Sequence, residues 1–315
     1  MTVFAFITPT WDGLSWATAM QMACPGKIIR IWPEIGELND VTYAAAWLPP
    51  ANILRSLPNL RVIFSLGAGV DAILSDPTLP DGIPIVRVND PDLTNRMSEY
   101  IVLHVLMHHR QHDRLQLQQH NKLWDNFKTH AASALTVGIM GLGVMGTDAA
   151  TKLRMLGFNV IGWSRTPKQI AGVTCYASAA EFDAFLGETD ILVSLLPATK
   201  GTDGIINRAL INKLSRRGPL GAPVLINAGR GSQQNENDIL AALDAGELHA
   251  VSLDVFRKEP LPASSPLWSH PRVTLTPHAA ADSEPTVICE YISRQIVRFE
   301  AGLPLENVVD RKRGY

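Results

Sequence analysis

Short apolar runs recur along the chain, at residues 3–7, 27–31, 43–48, 61–65 and 83–88, with polar or amphipathic stretches between them. Runs of this length, rich in β-branched residues and apolar on both faces, predict buried parallel strands alternating with helices. Asn89-Asp-Pro-Asp92 interrupts the alternation, and residues 93–127 predict a mainly helical segment. A second strand–helix series starts at Leu135 and runs to Thr276, with strands expected at 135–140, 158–163, 224–226, 250–253 and 273–275. Within it, 147–156 predicts a helix closed by Gly157. Near the end of the chain Val287, Ile288, Tyr291, Ile292, Ile296, Val297 and Phe299 fall at helical spacing, and Gly302 suits the C-cap of a helix over 286–301.

The pattern predicts an α/β fold of two Rossmann-like domains, a flavodoxin-like one and a doubly wound dinucleotide-binding one, with an interdomain cleft for ligands. The terminal helix is expected to pack back on the first module, which gives domains of 1–99 with 282–315 and 100–281. The 315 residues accommodate this division at roughly 150 residues per domain. With 46% hydrophobic and 18% charged residues the composition is that of a globular protein with ample core. A net charge of −2 offers no electrostatic case for a nucleic acid or an anionic membrane as partner. The N-terminal apolar run is too short for a signal or membrane segment. Cys24, Cys175 and Cys289 are far apart and lack metal spacing, which suggests small buried hydrophobes in a reducing cytoplasm.

Gly141-Leu-Gly143-Val144-Met145-Gly146 lies between the strand ending at Met140 and the following helix. A bare GxGxxG is weak, but this placement is the dinucleotide fingerprint: a tight turn, room for a pyrophosphate, and close helix–strand packing. Unpaired amides and the helix dipole favour phosphate there. At the end of the next strand an NAD site usually carries an acidic residue for the ribose 2′-hydroxyl. Here the segment reads Trp163-Ser164-Arg165-Thr166-Pro167-Lys168, two cations and two hydroxyls without a carboxylate. That set attracts a 2′-phosphate, so NADPH is expected as cofactor, with NADH weaker.

Three further strand-like runs each end in a charged loop. Asn227-Ala228-Gly229-Arg230-Gly231 presents a guanidinium, Leu253-Asp254-Val-Phe-Arg-Lys-Glu259-Pro a carboxylate, and Thr276-Pro-His278 an imidazole. In a parallel sheet these ends share the ligand-binding edge. Arg230 can grip a carboxylate, His278 can exchange a proton near neutral pH, and Glu259 can orient that ring; the set suits a carbonyl substrate. His104, His108, His109, His112 and His120 include i,i+4 pairs, yet no acidic or Cys ligand completes a metal set, so a packed or solvated helix is expected and no metal.

In this order the motifs resemble the D-2-hydroxyacid dehydrogenase family over most of the chain. Trp47-Leu-Pro-Pro50, Ser65-Leu-Gly-Ala-Gly-Val-Asp71, Trp163-Ser-Arg165, Ser265-Pro-Leu-Trp268 and Glu290-Tyr-Ile-Ser293 are similar to its glyoxylate/hydroxypyruvate reductase A subgroup. The resemblance implies a homodimer that reduces short 2-oxo acids, glyoxylate or hydroxypyruvate, with NADPH. It implies that Arg230 binds the substrate's carboxylate and carbonyl oxygens, and that His278 protonates the carbonyl as hydride arrives. Glu259 would favour the charged ring. It assigns Ala68 and Gly69 to a backbone carboxylate cradle, Met97 to the substrate, and Trp47 to a wall limiting substrate size, although Trp47 also suits ordinary core. It sets Asp254 against the nicotinamide carboxamide, and Leu196, Pro197, Thr202, Asn227, Ala228 and Gly229 in loops beside the cofactor. Ala279-Ala-Ala281 departs from the Gly-Ala-Ser often found after the histidine. A broader or phosphoglycerate-type dehydrogenase, and a nucleotide-sensing binding protein, are the alternative readings.

Overall fold

The structure, a computed structural model, describes residues 2–314. Strands β1 (Val3–Ile7), β2 (Ile28–Ile31), β3 (Val41–Ala46), β4 (Val62–Ser65) and β5 (Ile85–Val86) form one sheet. A second comprises β6 (Thr136–Met140), β7 (Asn159–Ser164), β8 (Thr174–Ala177), β9 (Ile191–Ser194), β10 (Val224–Asn227), β11 (Ala250–Leu253) and β12 (Val273–Leu275). The α-helices are α1 (Gly13–Ala23), α2 (Asp71–Leu74), α3 (Pro91–His109), α4 (His112–His120), α5 (Val144–Met155), α6 (Phe182–Glu188), α7 (Arg208–Ile211), α8 (Glu236–Asp244) and α9 (Pro285–Glu300). All pairings between these strands are parallel, as the runs of apolar residues on both faces require. The chain divides into two compact units, Met1–Leu93 with Asp282–Tyr315, and Thr94–Ala281; the change falls in the first turn of α3.

The first unit has strand order β2-β1-β3-β4-β5. Strands β1, β3 and β4 are buried along nearly their whole length, with Phe4, Phe6, Tyr43 and Phe64 inaccessible to solvent. The order reverses between β1 and β3, and Trp47 follows the C-terminal end of β3 at this switch point, where flavodoxin-like sheets bind ligands. Helix α9 buries Ile288, Ile292 and Ile296 together with Cys289, Tyr291 and Gln295 and packs on α1. Val297, expected on that apolar face, is 62% exposed, because it lies a full step round the helix from the 288–292–296 stripe. Gly302 adopts φ +74° just past the C-cap Ala301, the left-handed position that ends helices.

The second unit has order β12-β11-β10-β9-β6-β7-β8. From β6 the chain moves outward through β7 to β8 and then returns to β9 on the other side of β6, so the switch point lies between β6 and β9. Helix α5 starts at Val144 rather than Thr147, because the second half of the glycine motif itself forms its first turn. The helix expected over 93–127 is two helices. It breaks at Gln111, whose φ is +49°, and α4 buries none of its residues. After His109 the sequence lacks an apolar stripe, so no packing extends α3 onward.

Candidate active site

The turn after β6 leaves room at a helix N-terminus. Gly141 has φ +106°, and a β-carbon on it would stand 2.8 Å from the carbonyl oxygen of Leu195, so this turn and the loop after β9 approach as closely as backbones can. Gly146 faces Gly141 O, where a β-carbon would sit at 1.9 Å. Gly143, the N-cap of α5, is the opposite case: a β-carbon there meets nothing within 4 Å. The first amides of a 12-residue helix therefore open onto space with no side chain in it, which fits a dinucleotide pyrophosphate. Val144 is exposed at this mouth, and Met145 packs partly into the core. Past the end of β7, Arg165, Thr166 and Lys168 are exposed, as a ribose-phosphate site needs. Ser164 is buried and its hydroxyl donates to Thr166 O at 2.7 Å, so it shapes this loop from within.

The second centre forms at the ends of β10, β11 and β12. Register places Asn227 beside Leu253 and Leu253 beside Leu275, so the three loops leave the sheet side by side. Arg230 follows β10 by three residues and His278 follows β12 by three. His278 Nδ1 lies 2.7 Å from Glu259 Oε2, and Glu259 Oε1 accepts from the Phe256 amide at 2.9 Å. Burial pushes the Glu259 carboxyl up. The hydrogen bonds from His278 and Phe256 and the charges of His278 and Arg230 outweigh it and hold the group below its ordinary value. An ionised carboxylate only accepts, so Nδ1 is the donor in this pair. Both side chains keep 35% of their surface exposed, open to a reacting molecule. Arg230 is half-buried, with Nη1 donating to Gly229 O at 2.9 Å.

Other residues singled out by sequence face inward. Asn227 is inaccessible; its amide donates to Gln234 Oε1 at 2.8 Å and its oxygen accepts from Gly229 N at 3.1 Å, which folds the loop that presents Arg230. Ala228 and Leu196 are buried, and Pro197 is held by Thr202, whose hydroxyl donates to Pro197 O at 2.7 Å. Asp254 is 1% exposed, with both carboxylate oxygens engaged by the chain. Met97 packs in the core of the second unit. In the first unit, Ser65 Oγ contacts the carbonyls of Gly67 and Gly69 at 2.9 and 2.8 Å, curling the Ala68–Gly69 segment at the end of β4. The Trp47 ring lies over Gly67, where a β-carbon would stand 2.4 Å from it, and stacks on Trp11 with centroids 4.9 Å apart.

Sequence reasoning missed the buried glutamines behind the site. Gln233 bonds Leu196 O at 2.6 Å and Ser194 Oγ at 2.9 Å, and Gln234 bonds Val255 O at 2.9 Å, so two adjacent side chains tie together the loops after β9, β10 and β11. Their signal, a polar run straight after NAGRG, reads as surface loop. The histidines of α3 also resolve: His104 Nδ1 and His108 Nε2 each lie 2.8 Å from Ser252 Oγ. Among the described residues no group of His, Cys, Asp or Glu is placed to hold a metal ion.

Comparison with known proteins matches these features. The model of the D-isomer specific 2-hydroxyacid dehydrogenase NAD binding domain matches residues 102–280. A glyoxylate/hydroxypyruvate reductase A from Yersinia enterocolitica is 42% identical, with 98% of this chain and 99% of that protein covered. A crystal structure of an NADPH-dependent glyoxylate/hydroxypyruvate reductase from Sinorhizobium meliloti, in complex with NADP and sulfate, is similar with a TM-score of 0.95 at 46% identity over 100% of both chains. A D-isomer specific 2-hydroxyacid dehydrogenase from Xanthobacter autotrophicus in complex with NADPH and MES gives a TM-score of 0.94 at 36% identity, covering 100% of this chain and 99% of that one.

Proposed function

The chain belongs to the D-isomer specific 2-hydroxyacid dehydrogenases, and from that premise we propose that it reduces short 2-oxo acids with NADPH, glyoxylate to glycolate and hydroxypyruvate to D-glycerate. The observation that carries this reading is the His278–Glu259 pair, 2.7 Å apart, beside Arg230 and on the same sheet as the glycine turn. Bound NADPH supplies the hydride. The chain's own residues do the rest. Arg230 holds the substrate's carboxylate and carbonyl oxygens through its fork and polarises the carbonyl. With Nδ1 committed to Glu259, proton delivery to the carbonyl oxygen falls to His278 Nε2, and Glu259 fixes the ring and carries the counter-charge. Gly141, Gly143, Val144, Met145 and Gly146 cradle the diphosphate, and Arg165, Thr166 and Lys168 receive the 2′-phosphate. Ser164, Leu196, Pro197, Thr202, Asn227, Ala228 and Gly229 support them from behind or line the cofactor. Within the first unit, the Ala68–Gly69 backbone is the proposed carboxylate cradle and Trp47 the proposed wall; within the second, Met97 supports the site from the core.

The same reading makes Met1–Leu93 with Asp282–Tyr315 the substrate domain and Thr94–Ala281 the dinucleotide-binding domain. It makes the protein a homodimer: Leu103, Leu115, Leu117, Leu123 and a fully exposed Trp124 offer an apolar surface along α3, α4 and the segment after them. A net charge of −2 supports small-molecule over nucleic-acid partners, and three free cysteines support a cytoplasmic location. Oxidation of NADPH and of NADH, followed with a panel of 2-oxo acids, tests the reading. Turnover of glyoxylate and hydroxypyruvate with NADPH preferred supports it. Turnover confined to NADH, or to a phosphorylated acid, contradicts it.

A further inference from the structure

Resting on the reading of His278 as proton donor, we propose that Tyr100 is a positioning residue for it, acting through Thr276 and Asp254. His278 has φ +56°, a left-handed backbone that is strained for a residue with a β-carbon, so contacts outside the residue must hold it there. The holding group is Asp254, at the C-terminal end of β11. Its carbonyl oxygen accepts from the His278 amide at 2.8 Å. Its carboxylate grips the chain on both sides of the histidine. Oδ1 accepts from Thr276 Oγ1 at 2.6 Å and from Ala279 N at 2.8 Å, and Oδ2 accepts from Ala280 N at 3.1 Å. No part of this grip needs the imidazole itself, whose Nδ1 bonds Glu259 instead.

Tyr100 completes the chain of bonds from α3. Its hydroxyl lies 2.8 Å from Thr276 Oγ1. Thr276 has one hydroxyl hydrogen, and it points to Asp254 Oδ1, so the Tyr100 hydroxyl is the donor in that contact. The direction is therefore fixed: Tyr100 donates to Thr276, which donates to Asp254, which holds His278, Ala279 and Ala280. While Tyr100 occupies the Thr276 lone pair, the Thr276 hydrogen stays aimed at the carboxylate, and each bond in such a series polarises the next. The phenol is nearly buried and cannot swing away; its ring rests on His104 with centroids 4.1 Å apart. His104 in turn is anchored to Ser252 on β11, two residues before Asp254. A phenol that only needed a partner for its hydroxyl would find one in a backbone carbonyl. Here it is joined to Thr276 and, through it, to Asp254, which define the path of the backbone at His278.

The test compares Tyr100→Phe, which removes one oxygen, in the wild-type and His278→Ala backgrounds. Steady-state kinetics with NADPH and glyoxylate are joined by amide hydrogen exchange at Ala279 and Ala280. Loss of one such bond is expected to lower kcat about threefold to tenfold with KM changed by less than about twofold, and to speed exchange at both amides. Thr276→Val should act in the same direction and Thr276→Ser should restore the wild-type values. In the His278→Ala background the Tyr100→Phe effect on residual turnover should vanish, because the residue acts only through the ring. An equal loss of kcat in both backgrounds, or unchanged kcat and unchanged exchange, overturns the proposal. Should the wild type reduce no 2-oxo acid, the exchange measurement still decides. Faster exchange in Tyr100→Phe leaves the tether standing and removes the reaction, and unchanged exchange removes the tether.

Discussion

In the proposed reading, Arg165 and Lys168 are the side chains that set cofactor choice. Both are exposed at the end of β7, the place where an acidic residue would repel a 2′-phosphate, and each can contribute one charge-assisted contact. Replacing both with Ala is expected to raise KM for NADPH about tenfold to a hundredfold while KM for NADH stays nearly constant. Parallel changes for both cofactors would show that the cations do not read the 2′-phosphate. Their exposed position past a strand end was legible in the sequence, because it needs only an apolar run followed by charge. So were Arg230, Glu259 and His278, each a few residues beyond an apolar run. Asp254, expected from the resemblance to meet the nicotinamide carboxamide, has both carboxylate oxygens engaged by the chain around His278, and neither this nor the contacts of Gln233, Gln234 and Tyr100 were legible in the sequence. Their meaning lies in what they touch across sequence distances that no local pattern records.

At the level of elements, register does the assembling. Parallel pairing of β10, β11 and β12 brings three sequence-distant loops to one edge, which is why alternating apolar runs were enough to anticipate the centre. The strands were marked by apolar residues on both faces, and α9 by its stripe. The break between α3 and α4 was not marked, since neither Gly nor Pro punctuates it and only missing tertiary contacts end the helix. Helix α3 also carries a measurable consequence. His104 and His108 are buried around Ser252, and burial depresses both to about 4, His108 further opposed by the charge of His104. A depressed histidine favours folding in its neutral form. Its contribution is therefore fully present above the unfolded value of about 6.5 and is lost as pH falls toward about 4. Thermal unfolding followed from pH 7 to pH 4 should show Tm falling across that window. His108→Gln, which cannot take a proton there, should flatten the fall. A Tm independent of pH in this range for the wild type would contradict the burial argument.

At the scale of the whole molecule, the proposed dimer rests on the apolar side chains around Trp124. Trp124 is fully exposed, and Leu117 and Leu123 are 61% and 59% exposed, an arrangement that a monomer in water does not favour. Sedimentation equilibrium is expected to give twice the 34.4 kDa chain mass. Leu117→Glu combined with Trp124→Glu should shift the protein to a monomer, since an interface core does not accept unpaired charge. A wild-type monomer would refute the dimer. In the proposed reaction His278, aimed by Glu259, gives a proton to the carbonyl oxygen. The most direct measurement is kcat for glyoxylate with saturating NADPH, wild type against His278→Ala, alongside direct titration of NADPH binding. A positioned general acid predicts a loss of about 10² to 10⁴ in kcat with cofactor affinity unchanged. A His278→Ala protein that turns over at the wild-type rate would contradict it.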